Sequence, residues 1–166
     1  MSFLRRTPVG ARCSILAESF RVAEPCGTLA PVQPAIRIRR EILDCLYAEA
    51  RRSAPQECCG LMAGTGGVIT AVFPARNALA SATAFEIGSE ELFAIFRSIR
   101  AGGLDHLGIY HSHPKGPATP SPADIDRAYY PDAAYFILSP GPEAQARIRA
   151  FSIRDARCEE RAIEPV

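Results

Sequence analysis

With 166 residues, 48% of them apolar, the chain is long enough for one domain with a substantial core and too short for two independent ones. Its 19 basic and 18 acidic residues leave a formal charge of +1, so nothing in the charge suggests a nucleic-acid or membrane-surface partner. No run approaches the ~20 apolar residues that span a bilayer. The arginines near the start (Arg5, Arg6, Arg12) precede only the short apolar stretch Ile15-Leu16-Ala17, far below the ~7–15 residues of a signal-peptide core, and the expected location is cytoplasmic. The six cysteines (Cys13, Cys26, Cys45, Cys58, Cys59, Cys158) form no C-x-x-C pair, and free thiols are the expectation.

In chain order, residues 1–34 alternate small, polar and proline residues without a sustained period and read as an N-terminal extension ahead of a domain over 35–166. From Ile36 onward, Ile38, Ile42, Leu43, Leu46, Tyr47 and Ala50 recur at three and four, predicting an amphipathic helix to about Arg52 that stops before Pro55. The run ECCGLMAG over 57–64 predicts a buried strand, Gly66-Gly67 a turn, and 68–73 a second strand of a hairpin. Past a loop containing Asn77, Phe85-Glu86-Ile87 is a short strand candidate. Ser89 caps a helix that turns Leu92, Ile95, Phe96 and Ile99 inward and ends at Gly102-Gly103. Residues 104–113 predict a strand, SPADIDRAYY the start of a helix, and 133–138, 146–153 and 157–163 three further strands. This order favours an α+β or mixed α/β domain, a sheet with helices packed on it.

The chemistry concentrates in HSHPKGPATPSPAD. Two of the three histidines stand as His111-Ser112-His113 at the end of a predicted strand, where residues i and i+2 share a face and two imidazoles can converge on one ion. Zinc suits such a pair, because imidazole and carboxylate are common ligands and a catalytic site keeps one position for water. Asp124, eleven residues beyond His113, is the leading third ligand, whereas Asp126 would face elsewhere on a helix. A structural reading competes: Ser121-Pro122-Ala123-Asp124 is also a good helix start, with serine as cap, proline at the first position and an acidic residue that returns the capping bond. The histidine pair upstream shifts the balance toward metal binding. Hydrolysis also needs a proton carrier that is not a ligand, and Glu57, at the entrance of an apolar strand, is the candidate. Cys59 could serve as a nucleophile on paper, but it lies in a run expected to be buried, where thiols are inert packing.

A glutamate followed far downstream by H-S-H, seven residues, serine, two residues and aspartate resembles the signature of the JAMM (MPN+) zinc metallopeptidases, closest to their small prokaryotic branch, over about residues 36–164. The resemblance implies that His111, His113 and Asp124 bind Zn2+, that Glu57 positions and deprotonates the water, and that the Ser121 hydroxyl supports the oxyanion. It implies a fold of the cytidine-deaminase-like type, a curved, mostly antiparallel sheet or partial barrel flanked by helices. It also implies a substrate, the amide bond after the C-terminal Gly-Gly of a ubiquitin-like or sulfur-carrier protein, with the side-chain-free tail bound by strand addition. Two alternatives stay open: a DNA-repair-associated protein of the RadC type, and a non-catalytic carrier-binding scaffold that keeps zinc for stability.

Overall fold

The structure, a computed structural model, describes residues 33–141 and 148–166. The extension expected over 1–34 therefore lies outside the described residues as far as residue 32, as do the first two residues of the strand expected from Ala146. The elements are β1 (Ile36–Ile38), α1 (Arg40–Ser53), β2 (Cys59–Thr65), β3 (Val68–Ala75), α2 (Ser89–Ala101), β4 (Asp105–Ser112), α3 (Pro122–Asp126), β5 (Ala134–Leu138), β6 (Ile148–Arg154), β7 (Arg157–Arg161) and β8 (Ile163–Pro165). The strands form one sheet in the order β7-β6-β5-β4-β2-β3-β1-β8. Of its seven strand pairings, four are antiparallel and three parallel (β1 with β3, β1 with β8, β4 with β5).

The two edge strands are consecutive in the chain and separated only by Ala162, so the sheet must curl until its edges nearly meet. Side-chain alternation fits that curvature. Ile38, Met62, Ile69, Tyr110, Phe136, Leu138 and Ala150, drawn from β1 through β6, pack with Leu46 and Ala50 of α1 in one cluster, so the sheet wraps around α1. The intervening residues point outward. Leu61 and Ala63 meet Ile95 and Ile99 of α2, and Ile109, Tyr135, Ile137, Phe151 and Ile153 form a third cluster bordered by Ile125 of α3. This is the expected mixed α/β domain with a curved sheet between helices.

Several expectations need correction. Ile36 and Ile38 belong to a strand, because the alternating Ile-Arg-Ile finds parallel partners in both β3 and β8, and the helix starts only after the extended Arg39. Glu57 precedes β2 instead of starting it. The Gly66-Gly67 turn is present, with φ of 59° and 74°, values that glycine reaches without a Cβ clash. Phe85-Glu86-Ile87 is not a strand but holds a single bridge between Ile87 and Asn77. The α2 helix is preceded by Gly88 with no side-chain cap, and Ser89 is its first residue, so serine does not cap it. The last expected strand divides into β7 and β8, which lie on opposite edges. No described helix is long and apolar enough to cross a membrane.

Candidate metal centre

The site lies on the outer face of the sheet where β4 ends. His111 is the penultimate residue of that strand and buried, His113 follows two residues later, just past the strand, and Ser112 between them points to the other side, fully buried. His111 Nε2 and His113 Nε2 stand 3.0 Å apart, and the Asp124 carboxylate reaches both, Oδ1 at 3.4 Å from His111 and Oδ2 at 3.4 Å from His113. Four ligands about 2.05 Å from a zinc-sized ion lie about 3.3 Å from one another in a tetrahedron. The three donors therefore already have the mutual spacing of such a shell, and the group could hold a metal ion.

Each donor is oriented by a neighbour. The Nδ1–H of His113 donates to the Pro117 carbonyl at 2.9 Å, which leaves the Nε2 lone pair free for a ligand. His111 is stacked under Phe85, with centroids 4.5 Å apart and planes 20° from parallel. Asp124 sits in the first turn of α3, where it forms a complete capping box. Its backbone N–H donates to Ser121 Oγ at 3.2 Å, and its Oδ2 accepts the Ser121 N–H at 2.6 Å. The cap reading and the ligand reading thus coexist, because the box uses Oδ2 and leaves Oδ1 toward His111. The Ser121 hydroxyl accepts from Asp124 and keeps its own proton to donate. Asp126, as expected, is absent from the cluster.

The charges fit the same picture. Burial alone would raise the Asp124 pKa, but hydrogen bonds with both imidazoles outweigh it and hold the carboxyl well below the usual range. Burial lowers His111, which favours its neutral, ligating form. For His113, burial is outweighed by Asp124 and the Pro117 carbonyl, and its pKa rises.

Glu57 reaches the site through backbone register. Cys59 pairs with His111 across β2 and β4, and the next pair is held by Cys58 N–H to Ser112 Oγ at 2.9 Å and Ser112 N–H to the Cys58 carbonyl at 3.0 Å. Continuing that register sets Glu57 across from His113, on the same face. The residue is 4% exposed, and burial pushes its carboxyl from 4.5 up to about 7, against the attraction of His113. A group with that pKa both accepts and returns protons at neutral pH. Cys59 is fully buried with its thiol pushed up by burial to about 12, which suits packing and not nucleophilic attack. The third histidine, His106, lies away from the cluster between Phe96 and Tyr130, bonded through Nε2 to the Gly108 carbonyl.

Three supports escaped the sequence reading. Ser112 was visible only as the spacer of the histidine pair, Phe85 only as a strand candidate, and Pro117 contributes a carbonyl that no side-chain pattern announces. The profile of "Prokaryotic homologs of the JAB domain" matches residues 39–154. The chain belongs to this family. It is similar to the desampylase of Haloferax volcanii, 38% identical over 104 residues that cover 58% of this chain and 75% of that one. It is also 31% identical to the CysO-cysteine peptidase of Mycobacterium tuberculosis over 131 residues, 78% of this chain and 90% of that one. Among solved structures, a JAB1/MPN domain protein from Archaeoglobus fulgidus shares the fold at 19% identity with a TM-score of 0.56, over 81% of this chain and 100% of that one.

Proposed function

We propose that the protein is a zinc metallopeptidase that hydrolyses the amide bond after the C-terminal Gly-Gly of a ubiquitin-like or sulfur-carrier protein. The observation that carries this reading is the convergence of His111, His113 and Asp124 beside a buried Glu57 whose carboxyl is raised to about 7 by burial. The relatives named desampylase and CysO-cysteine peptidase support a carrier conjugate as the substrate class and favour the peptidase over the repair-associated and scaffold alternatives.

His111, His113 and Asp124 hold the metal. Zinc, when bound there, supplies a Lewis acid that polarises a carbonyl and makes water nucleophilic near neutral pH. Glu57 takes a proton from the attacking water and returns it to the departing amine. The Ser121 hydroxyl, still free to donate, stabilises the negative charge that develops on the carbonyl oxygen. The capping box fixes Ser121 and Asp124 together, so ligand and oxyanion donor move as one unit.

The test is cleavage of a carrier protein extended beyond its Gly-Gly tail, read by mass spectrometry for wild type and Glu57→Gln. Wild type with about one zinc per chain releases the extension, chelation stops it, and Glu57→Gln binds zinc but is inactive. Full activity in Glu57→Gln, or in a chelated sample, would sink the mechanism.

A further inference from the structure

Asn77 opens the loop that connects β3 to α2, and its side chain is bonded far beyond what a loop residue needs. Its Nδ2 donates to the carbonyls of Ala84 at 2.9 Å and Glu57 at 3.2 Å, with the Ser81 carbonyl at 3.4 Å sharing one of the protons. Its Oδ1 accepts the N–H groups of Leu79 at 3.1 Å and Glu86 at 3.2 Å. Two protons and two lone pairs are all that a carboxamide offers, so its capacity is fully used.

The same loop touches the metal centre at two points. Glu57 donates its N–H to the Ser81 carbonyl at 2.9 Å, so both backbone polar groups of Glu57 are held by this loop and not by a neighbouring strand. Phe85, the ring stacked on His111, sits between Ala84 and Glu86, two direct partners of Asn77. The loop is also strained. Ala80 has φ of 47°, in the left-handed region, and donates its N–H to the Asn77 carbonyl at 3.0 Å. A non-glycine residue stays there only where surrounding bonds over-determine the backbone.

We propose that Asn77 is a positioning residue for catalysis, whose amide fixes the Glu57 backbone and the Phe85 ring in one arrangement and so sets the carboxyl beside His113 and Asp124 and the ring against the His111 imidazole. It rests on the peptidase reading of the site. The side-chain hydrogen bonds of Asn77 go to backbone groups and to none of His111, His113 and Asp124. Asn77→Asp is close to isosteric and keeps the acceptor for Leu79 and Glu86. It removes both donors and turns a carboxylate toward the Glu57 and Ala84 carbonyls, so it breaks the link to the site more than the turn itself.

The experiment compares wild type, Asn77→Asp, Asn77→Ser and a core control, Ile99→Val on α2, in the full chain. Three quantities are read: kcat and KM on the Gly-Gly-extended carrier, melting temperature, and amide hydrogen exchange at Glu57. A displacement near 1 Å costs about 10²-fold in rate, so Asn77→Asp is expected to lose about that much kcat with KM within about threefold. Exchange at the Glu57 amide accelerates while the β4 amides keep their protection. Asn77→Ser, which retains one donor and one acceptor, shows a smaller loss in the same direction and carries the test if the aspartate variant does not fold. The control, melting lower than wild type, keeps its kcat. Unchanged kcat in the folded Asn77 variants, unchanged Glu57 exchange, or an equal kcat loss in the control overturns the proposal. An inactive wild type instead overturns the peptidase reading and this inference with it, a result visible before any variant is made.

Discussion

Replacing Glu57 by glutamine should abolish turnover and at the same time stabilise the metal-free protein, by an amount that depends on pH. Burial raises the Glu57 carboxyl from 4.5 to about 7, so between those values the folded protein binds a proton that the unfolded chain has released. Stability contributed by this residue therefore falls as pH rises through that window and is flat outside it. At about 1.4 kcal/mol for each pH unit, the full window is worth about 3 kcal/mol, of which about 2.5 lies between pH 5 and pH 8. Glutamine keeps the shape and carries no charge, so the gap between variant and wild type widens by that amount. For a domain of this size about 1 kcal/mol moves the melting temperature by roughly 4 °C. The assay is thermal melting of chelator-treated wild type and Glu57→Gln at both pH values, because a bound dication would attract the carboxylate and hide the cost of burying it. The expected advantage of Glu57→Gln is small at pH 5 and about 10 °C at pH 8. A gap equal at the two pH values, or a variant less stable at pH 8, would refute the reasoning.

Two further outcomes follow from single hydrogen bonds. Ser112→Ala leaves the buried Cys58 N–H without its 2.9 Å partner and should cost about 1–3 kcal/mol, lowering the melting temperature while the neighbouring Glu57 loses alignment and kcat falls. Calorimetry beside kinetics checks this, and an unchanged melting temperature contradicts it. Ser121→Ala should cost only about 1 kcal/mol as a lost cap but about 10²-fold in kcat as a lost oxyanion donor. Zinc content should persist, since Asp124 Oδ1 still faces His111, and steady-state kinetics with metal analysis would expose a loss of stability alone.

The parts of the molecule that were readable in the sequence are those whose causes are local. The outward pairing of His111 and His113 follows from strand alternation, the capping box from Ser121-Pro122-Ala123-Asp124, and the inner face of α2 from the spacing of Ile95 and Ile99. The misreadings lie where a distant partner decides. Ile36 and Ile38 continue the apolar stripe of α1 perfectly well, and only β3 and β8, the latter more than a hundred residues away, draw them into a strand. Phe85-Glu86-Ile87 has strand-like composition, yet Asn77 takes the Glu86 N–H and the ring goes to His111. Asn77 carried no readable signal, because asparagine is common in loops and all five partners of its side chain are backbone groups.

The order of strands has a consequence for recognition. The candidate metal centre lies at the ends of β2 and β4, both interior strands with neighbours on each side, while the two outermost strands are joined through a single residue. Neither strand at the centre offers an unpaired row of N–H and C=O groups, but β3 beside them does: among the described residues β1 pairs with it only at Val68 and Ile69, so residues 70–75 have β2 as their one strand neighbour. On the peptidase reading proposed above, an extended tail that adds as a strand would pair along this side of β3, whose last residue, Ala75, lies in register with Cys59 and, through it, with His111. Recognition of the tail would then fall to an edge separate from β4, the strand that positions His111, and from α3, which carries Asp124.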